Sequence, residues 1–485
     1  MPLKLALPGG QLARPIDALL DRAGLTVSGY ADGSRSYRPK LQERDGVFLR
    51  VFREKDIPIQ IALGNYQLGI CGLAWVEEQL VRYPNEALVM LRPLPLPPVG
   101  LYVAAAVRPR RSASAGLADI AGRRGLRLVS EFADLAEAFA LAARLPAYRI
   151  FPVWGAAEAY PPEDADLAVV AAASEEEVVG QGLAPLHCLL SGPPWLIAHR
   201  PSLEGKDLSP LLEPLMALEG AQPPAARASA RLELPAVRLG RVAAASVSTP
   251  RPASDAVRLA LPDGHQQPNA VGILRAAGLS FAGYDEEGWE RRPASSVVGL
   301  EVKVIRPHDM PQQVALGNFD LAICGRDCLL EHLYRFPASP VAEAVDLGGG
   351  QFDLSAVVSQ DLPADSLAQA MAIWKDQRIG SIRVASEFPA IADNYARANH
   401  FWRYQVIPIG GASEGFVPED ADLLIEGIQT GRTLAENNLK AIDRFLRSTT
   451  CLLAGQREAS GRKGKLLTQL MERFGDAAGR GVSSG

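Results

Sequence analysis

Internal repetition constrains this chain more than any other feature. Ala62-Leu-Gly-Asn-Tyr-Gln-Leu-Gly-Ile-Cys-Gly72 returns as Ala315-Leu-Gly-Asn-Phe-Asp-Leu-Ala-Ile-Cys-Gly325. Leu3-Lys-Leu-Ala-Leu-Pro8 returns as Val257-Arg-Leu-Ala-Leu-Pro262, and Glu163-Asp-Ala-Asp-Leu167 as Glu419-Asp-Ala-Asp-Leu423. Two copies of one unit must therefore fold alike, and the 485 residues divide into repeat one (1–218), a linker (219–254), repeat two (255–457) and a tail (458–485). The linker is rich in Ala, Pro, Arg and Ser, with little that could bury a core. In the tail, apolar residues at helical spacing predict an amphipathic helix over 463–473, followed by a disordered end.

Within each repeat, short apolar strands alternate with helical segments. In repeat one, 3–7 reads as a strand, 16–23 as a helix stopped by Gly24, and 57–63 as a helix. Residues 68–71 read as a buried strand. A second unit of the same kind starts near Tyr102 and, in repeat two, near Leu354. Such βαβ alternation predicts an α/β fold of two tandem bilobal repeats, each with a ligand cleft where strand C-termini converge.

Bulk properties exclude some functions. Net charge is −5, which gives no basic field for nucleic acid. No apolar run is long enough to predict a membrane span, and no secretory leader is read at the N-terminus. The five scattered cysteines read as buried free thiols of a cytoplasmic protein rather than a disulfide or zinc framework.

The copies diverge where chemistry is expected. Repeat two reads Glu426-Gly-Ile-Gln-Thr-Gly-Arg-Thr-Leu434, and a helix is predicted over 435–445. A strand, a turn holding Thr430, Gly431, Arg432 and Thr433, and then a helix can aim backbone N–H groups at a phosphate. Glu426 could accept hydrogen bonds from ribose hydroxyls. A helix N-cap is the plainer reading of the same residues. Repeat one has Ser174-Glu-Glu-Glu177 instead. Those carboxylates would repel a phosphate, and they also suit the first turn of a Ser-capped helix.

Repeat two resembles the ATP phosphoribosyltransferases, which catalyse the first step of histidine biosynthesis. The family's acid-x-(Val/Ile)-x-(Ser/Thr)-Gly-x-Thr-Leu-x-x-Asn-x-Leu signature is matched by Glu426, Ile428, Thr430, Gly431, Thr433, Leu434, Asn437 and Leu439. Gly411-Ala-Ser-Glu414, Arg383-Val-Ala-Ser-Glu-Phe-Pro389 and Arg306-Pro-His-Asp-Met-Pro311 resemble further family segments. The last of these recurs in repeat one as Arg53-Glu-Lys-Asp-Ile-Pro58. The resemblance implies a periplasmic-binding-protein type II-like fold and a glycosyl transfer. N1 of ATP would displace pyrophosphate from phosphoribosyl pyrophosphate, with Mg²⁺ carried by the substrate and no metal held by protein side chains.

It further implies that Glu426 and Thr430–Thr433 bind the ribose phosphate, and that Gly411, Glu414 and Arg383 line the cleft. Arg306, then Arg292, would meet the pyrophosphate, with Arg53 reaching across an intrachain pseudo-dimer. Expected partners are a histidyl-tRNA-synthetase-like regulatory subunit and further copies of the chain. Departures exist. Gly9-Gly-Gln-Leu12 and Asp263-Gly-His-Gln266 stand in place of Lys-Gly-Arg-Leu, and Gly350-Gln-Phe-Asp353 in place of Gly-x-Cys-Arg. These losses of basic residues favour the alternative, a non-catalytic bilobal module that binds a nucleotide or sugar phosphate as a sensor or partner subunit. His265 and His308 fall near the expected cleft without a visible carboxylate partner.

Overall fold

In a computed structural model, the described residues are 3–31, 37–42, 46–83, 87–107, 125–145, 147–219, 255–285, 288–411, 413–429, 431–456 and 459–481. All of the predicted linker (219–254) except its first residue, and the last four residues, lie outside them.

Each repeat is built on two five-stranded sheets, with a two-stranded one beside them. In the A-lobe of repeat one the order is Val47–Phe52, Leu3–Pro8, Leu68–Cys71, Trp195–His199, Leu88–Pro93. The A-lobe of repeat two has the same order: Leu300–Ile305, Val257–Pro262, Leu321–Gly325, Thr450–Gly455, Val341–Asp346. The first three strands are parallel, and the strand returning from the B-lobe adds antiparallel to them. Leu3 faces Val47 in one repeat and Val257 faces Leu300 in the other, so the registers correspond.

The B-lobes match as well. Leu183–Gly192, Val99–Ala106, Leu167–Ala172, Leu126–Ser130 and Tyr148–Pro152 in repeat one correspond to Leu439–Ser448, Phe352–Ser359, Leu423–Ile428, Ile382–Ser386 and Tyr404–Pro408 in repeat two. The chain crosses twice between lobes in each repeat, which makes a hinge beside the cleft. Gly348 and Gly350 lie at one crossing, in the turn between Val341–Asp346 and Phe352–Ser359.

Two readings of local structure need correction. The helix expected over 435–445 is a short helix, Arg432–Glu436, followed by the strand Leu439–Ser448. Asn438, at φ 56°, turns the chain between them. Leu439, Ile442 and Phe445 imitate a helical repeat, because two register shifts in this strand break the alternation of a regular one. At the C-terminus the helix is longer than predicted, Gly461–Gly481, and it buries Leu470, Phe474 and Ala477 in the core of the repeat-two A-lobe.

Packing between repeats is reciprocal. One apolar core joins Phe52, Ile57, Ile61 and Tyr66 of the repeat-one A-lobe to Phe416, Val417, Leu424 and Leu434 of the repeat-two B-lobe. Its counterpart joins Tyr102, Val153, Tyr160 and Val170 to Ile305, Met310, Phe319 and Leu453. Phe52 meets both Tyr66 and Phe416 edge-on, with centroids 5.1 Å apart in each case. Burying each such side chain contributes about 1.5–3 kcal/mol, so the halves hold each other as two subunits would.

Candidate functional site in the cleft of repeat two

Buried charge surrounds each inter-repeat core. Asp164 of repeat one receives Arg258 at 2.8 and 2.9 Å and Lys303 at 2.8 Å. Burial alone would raise the neighbouring Glu163 carboxyl, but Lys303 and Arg292 hold it down at about 2. On the opposite side Asp420 takes Tyr66 Oη at 2.7 Å and Lys4 at 3.7 Å, and Glu419 takes Arg50. Both clusters follow a glycine-containing loop in sequence, Trp154-Gly155 in repeat one and Gly410-Gly411 in repeat two.

Those loops meet the paired Arg-x-x-Asp segments. Asp56 accepts the Gly410 N–H at 2.9 Å, and burial raises its carboxyl to about 6. Asp309 accepts the Trp154 N–H at 3.1 Å and the Tyr160 hydroxyl at 3.3 Å, and burial raises its carboxyl to about 8. The arginine at the head of each segment then crosses to the opposite repeat. A Cβ on Gly411, whose φ is 128°, would lie 2.4 Å from Arg53 Nε. A Cβ on Gly155, at φ 139°, would lie 2.8 Å from Arg306 Nε. Only glycine allows either approach.

The crossing is symmetrical, so the sequence-predicted arginines divide between two clefts. Arg53 lies against the intact loop region of repeat two. Arg306 lies against Gly155 and Glu131 of repeat one, with Nη1 on Asp263 at 3.2 Å, and is not brought beside the repeat-two glycine loop. Its buried Nε has no hydrogen-bond partner. Arg292 is also placed elsewhere: it donates to the Ala159 carbonyl at 3.2 Å and pairs with Glu163 at 2.9 Å. Its counterpart Arg38 donates to the carbonyls of Glu414, Asn437 and Val417. Arg383 holds Asp422 at 2.9 Å and the Glu419 carbonyl, as Arg127 does with Asp166 and Glu163 in repeat one, so it braces a loop and does not line the cleft. Arg432 is mostly exposed and pairs with Glu436.

What the repeat-two cleft does gather is three carboxylates, of which Glu387 lies beside two cations of repeat one and is crowded by Glu414 and Glu426. Burial raises the Glu387 carboxyl, and Arg53 and Lys55 of repeat one oppose that rise. Glu414 is raised by burial. Glu426 is pushed up to about 8 by burial and by the charges of Glu387 and Glu414, while it accepts hydrogen bonds from Ser413 Oγ and, at 3.0 Å, the Gly427 N–H. Gly431, at φ 71°, caps the helix Arg432–Glu436. Asn437 Nδ2 donates to the Thr433 carbonyl at 2.9 Å, and Asn437 Oδ1 accepts the Tyr37 N–H from repeat one at 3.1 Å. Thr430 lies outside the described residues.

Repeat one keeps counterparts of two of these carboxylates, Glu131 and Glu158, but not of the third. Matched through strand register, Val170 stands where Glu426 does and Tyr102 where Ser355 does. Ser174 Oγ accepts the Glu177 N–H, and Glu177 accepts the Ala173 N–H at 2.7 Å, a closed capping box with its first turn full of carboxylates.

Sequence reasoning missed Lys55 and Glu387, and placed His308 near the cleft without a partner. Lys55 Nζ lies 4.2 Å from the Trp154 ring centroid. His308 is stacked between Trp154 at 4.5 Å and Phe388 at 5.5 Å, and its pKa is lowered to about 4 by burial and by the nearby cations Lys55 and Arg53. The signal for Lys55 and His308 was their shared position two residues after each motif arginine. Glu387 was present inside the quoted segment 383–389. Among the described residues no cluster of His, Cys, Asp and Glu is arranged to hold a metal ion, and no helix is long and apolar enough to cross a membrane. All five cysteines are unpaired.

Fold and cleft together define a duplicated two-lobed α/β protein whose two halves complete each other. The family model for ATP phosphoribosyltransferase matches residues 53–217 and 306–476, each match starting at a crossing arginine. The chain belongs to the ATP phosphoribosyltransferase family, which favours an enzyme over a non-catalytic binding module. A relative from Moorella thermoacetica named ATP phosphoribosyltransferase is 32% identical over 227 residues, covering 46% of this chain and 93% of its own. One from Synechococcus sp., with the same name, is 30% identical over 232 residues, covering 46% and 95%. Among solved structures, the ATP phosphoribosyl transferase (HisG:HisZ) complex from Thermotoga maritima matches 46% of this chain and 99% of its own, at 20% identity and a TM-score of 0.37.

Proposed function

We propose that this chain transfers the phosphoribosyl group of phosphoribosyl pyrophosphate to N1 of ATP, releasing pyrophosphate, at one active site in the cleft of repeat two. The observation that carries this reading is Arg53 and Lys55 of repeat one lying against the Gly410–Gly411 loop and beside Glu387, which Glu414 and Glu426 crowd. Carboxylates suit ribose hydroxyls, and cations suit a pyrophosphate leaving group whose charge grows as the glycosidic bond breaks. In this reading Gly431 and Thr433 cradle the 5′-phosphate beside Thr430, and Glu426 and Glu414 hold the ribose. Arg53 and Lys55 meet the pyrophosphate, which arrives with its own Mg²⁺. Repeat one serves as the second subunit of a pseudo-dimer, not as a second catalyst.

We take the enzyme to work in the cytoplasm, where its free cysteines remain reduced. The test is to incubate the purified chain with ATP, phosphoribosyl pyrophosphate and Mg²⁺ and to follow the N1-phosphoribosyl adduct and released pyrophosphate. Both should appear in equal amounts. Absence of adduct, with or without an added histidyl-tRNA-synthetase-like subunit, would remove the reading.

A further inference from the structure

At the hinge end of the repeat-two B-lobe lies a cavity of about 280 Å³, bordered by Phe352, Asp353, Gln429, Gly431, Arg444 and Arg447. It opens beside Gly431, the glycine of the loop discussed above. Asp353 Oδ1 lies 3.2 Å from Arg447 Nε, and Asp353 Oδ2 lies 3.7 Å from Arg444 Nη1. Two guanidiniums on one carboxylate leave a surplus positive charge. The arginine side chains are 66% and 68% exposed, whereas Asp353 is 21% exposed, so a ligand can reach the cations while the carboxylate stays behind them.

Backbone irregularity brings these groups together. Leu354 pairs with Leu446, but Ser355 pairs with Arg444, so Phe445 is the extra residue of a bulge. Without the bulge, residues three apart on a strand would point to opposite faces; with it, Arg444 and Arg447 both reach Asp353. Repeat one has the same register shift, between Cys188 and Leu190, but neither arginine. By register, Gly100 replaces Asp353, Cys188 replaces Arg444 and Ser191 replaces Arg447. There the Tyr102 ring lies over Gly100, within 2.6 Å of where a Cβ would be. Thus the copy that lost Glu426 has neither arginine here and lies near Glu175 and Glu176 instead, and the copy that kept it has a cationic pocket.

We infer that Arg444 and Arg447, with Gln429, form a subsite for the phosphate chain of a polyphosphate substrate, and that Asp353 is an internal counter-ion displaced when the chain binds. This rests on the proposed transferase reading and deepens it. The triphosphate of ATP and the pyrophosphoryl group of phosphoribosyl pyrophosphate share the required chemistry. Guanidinium pairs bind such oxygens in bidentate fashion, with an attraction that salt screens.

The experiment is calorimetric titration of the full chain with inorganic tripolyphosphate, then ATP, then phosphoribosyl pyrophosphate. Each is compared with the Arg444→Ala/Arg447→Ala double variant and with Asp353→Asn. All substituted side chains lie at the surface or on the cavity wall, and circular dichroism checks the fold. Loss of two charge-assisted contacts should weaken tripolyphosphate binding about 30-fold or more, and Asp353→Asn should tighten it several-fold. The natural substrate whose affinity falls in parallel is the occupant. Unchanged tripolyphosphate binding in the double variant, weaker binding in Asp353→Asn, or no binding by the parent chain would overturn the inference. A parent chain that responds as described but forms no adduct would sink the transferase reading alone.

Discussion

At the scale of single residues, the crossing arginines carry the most information. Arg53 and Arg306 occupy the same motif position, and each approaches a glycine loop, Arg53 at Gly411 and Arg306 at Gly155; both clefts keep a glutamate pair (Glu387 and Glu414, Glu131 and Glu158), but only the repeat-two cleft keeps the third carboxylate, Glu426. Arg53→Ala should therefore lower kcat/KM by about 100-fold, the usual loss when a preorganised charge is removed from a developing anion. Arg306→Ala should lower it far less. Steady-state kinetics on the two variants, with melting curves to confirm folding, makes the comparison; equal losses would contradict the assignment.

Glu426 gives a pH signature. Its folded pKa of about 8 lies above the ordinary carboxylate range, so its stabilising contribution is complete below pH of about 4 and is lost as pH rises through 8. Melting temperature should fall between pH 6 and 9 more steeply for the parent chain than for Glu426→Gln, by a few degrees, and parallel curves would argue against a buried, charge-crowded carboxyl. The acid, the glycine and the threonine of the loop were legible in the sequence because they are contiguous. Of the cations opposite them, Arg53 was expected from the family resemblance to reach across the pseudo-dimer, whereas Lys55 was not read, because spacing along a chain does not say which half a side chain faces. Gly155 and Gly411 held that information, but only as a steric requirement visible once both halves are assembled.

At the scale of elements, buried ion pairs join strands of different repeats. Arg258 on Val257–Pro262 and Lys303 on Leu300–Ile305 both end on Asp164, whose side chain is fully buried. Asp164→Ala would leave two buried cations without their principal partner, at a cost of about 3–5 kcal/mol. Urea unfolding should show this as a lower midpoint, and a change under 1 kcal/mol would mean that the cations relax into solvent. Most strands were legible from apolar runs and from repetition, since each reading could be checked against its copy. The strand Leu439–Ser448 was not, because its bulges replace the alternating pattern with an apparent helical one, and Asn438 ends the preceding helix within a single residue.

At the scale of the whole molecule, duplication has been followed by division of labour. Both halves keep the sheets, the ion clamps and the crossing arginines. Only repeat two keeps Glu426, Gly431 and the cationic pocket, while repeat one has Val170 and Tyr102 at matching register positions and closes its loop with a capping box. Retention of the Arg53 segment beside a degenerate loop is explained if repeat one is kept for what it gives to its neighbour. The most direct test is the stoichiometry of phosphoribosyl pyrophosphate binding to the intact chain in the presence of Mg²⁺, measured by calorimetry on the parent and on Arg53→Ala. The account predicts one site per chain, weakened by the substitution. Two equivalent sites, or one site indifferent to Arg53, would contradict it.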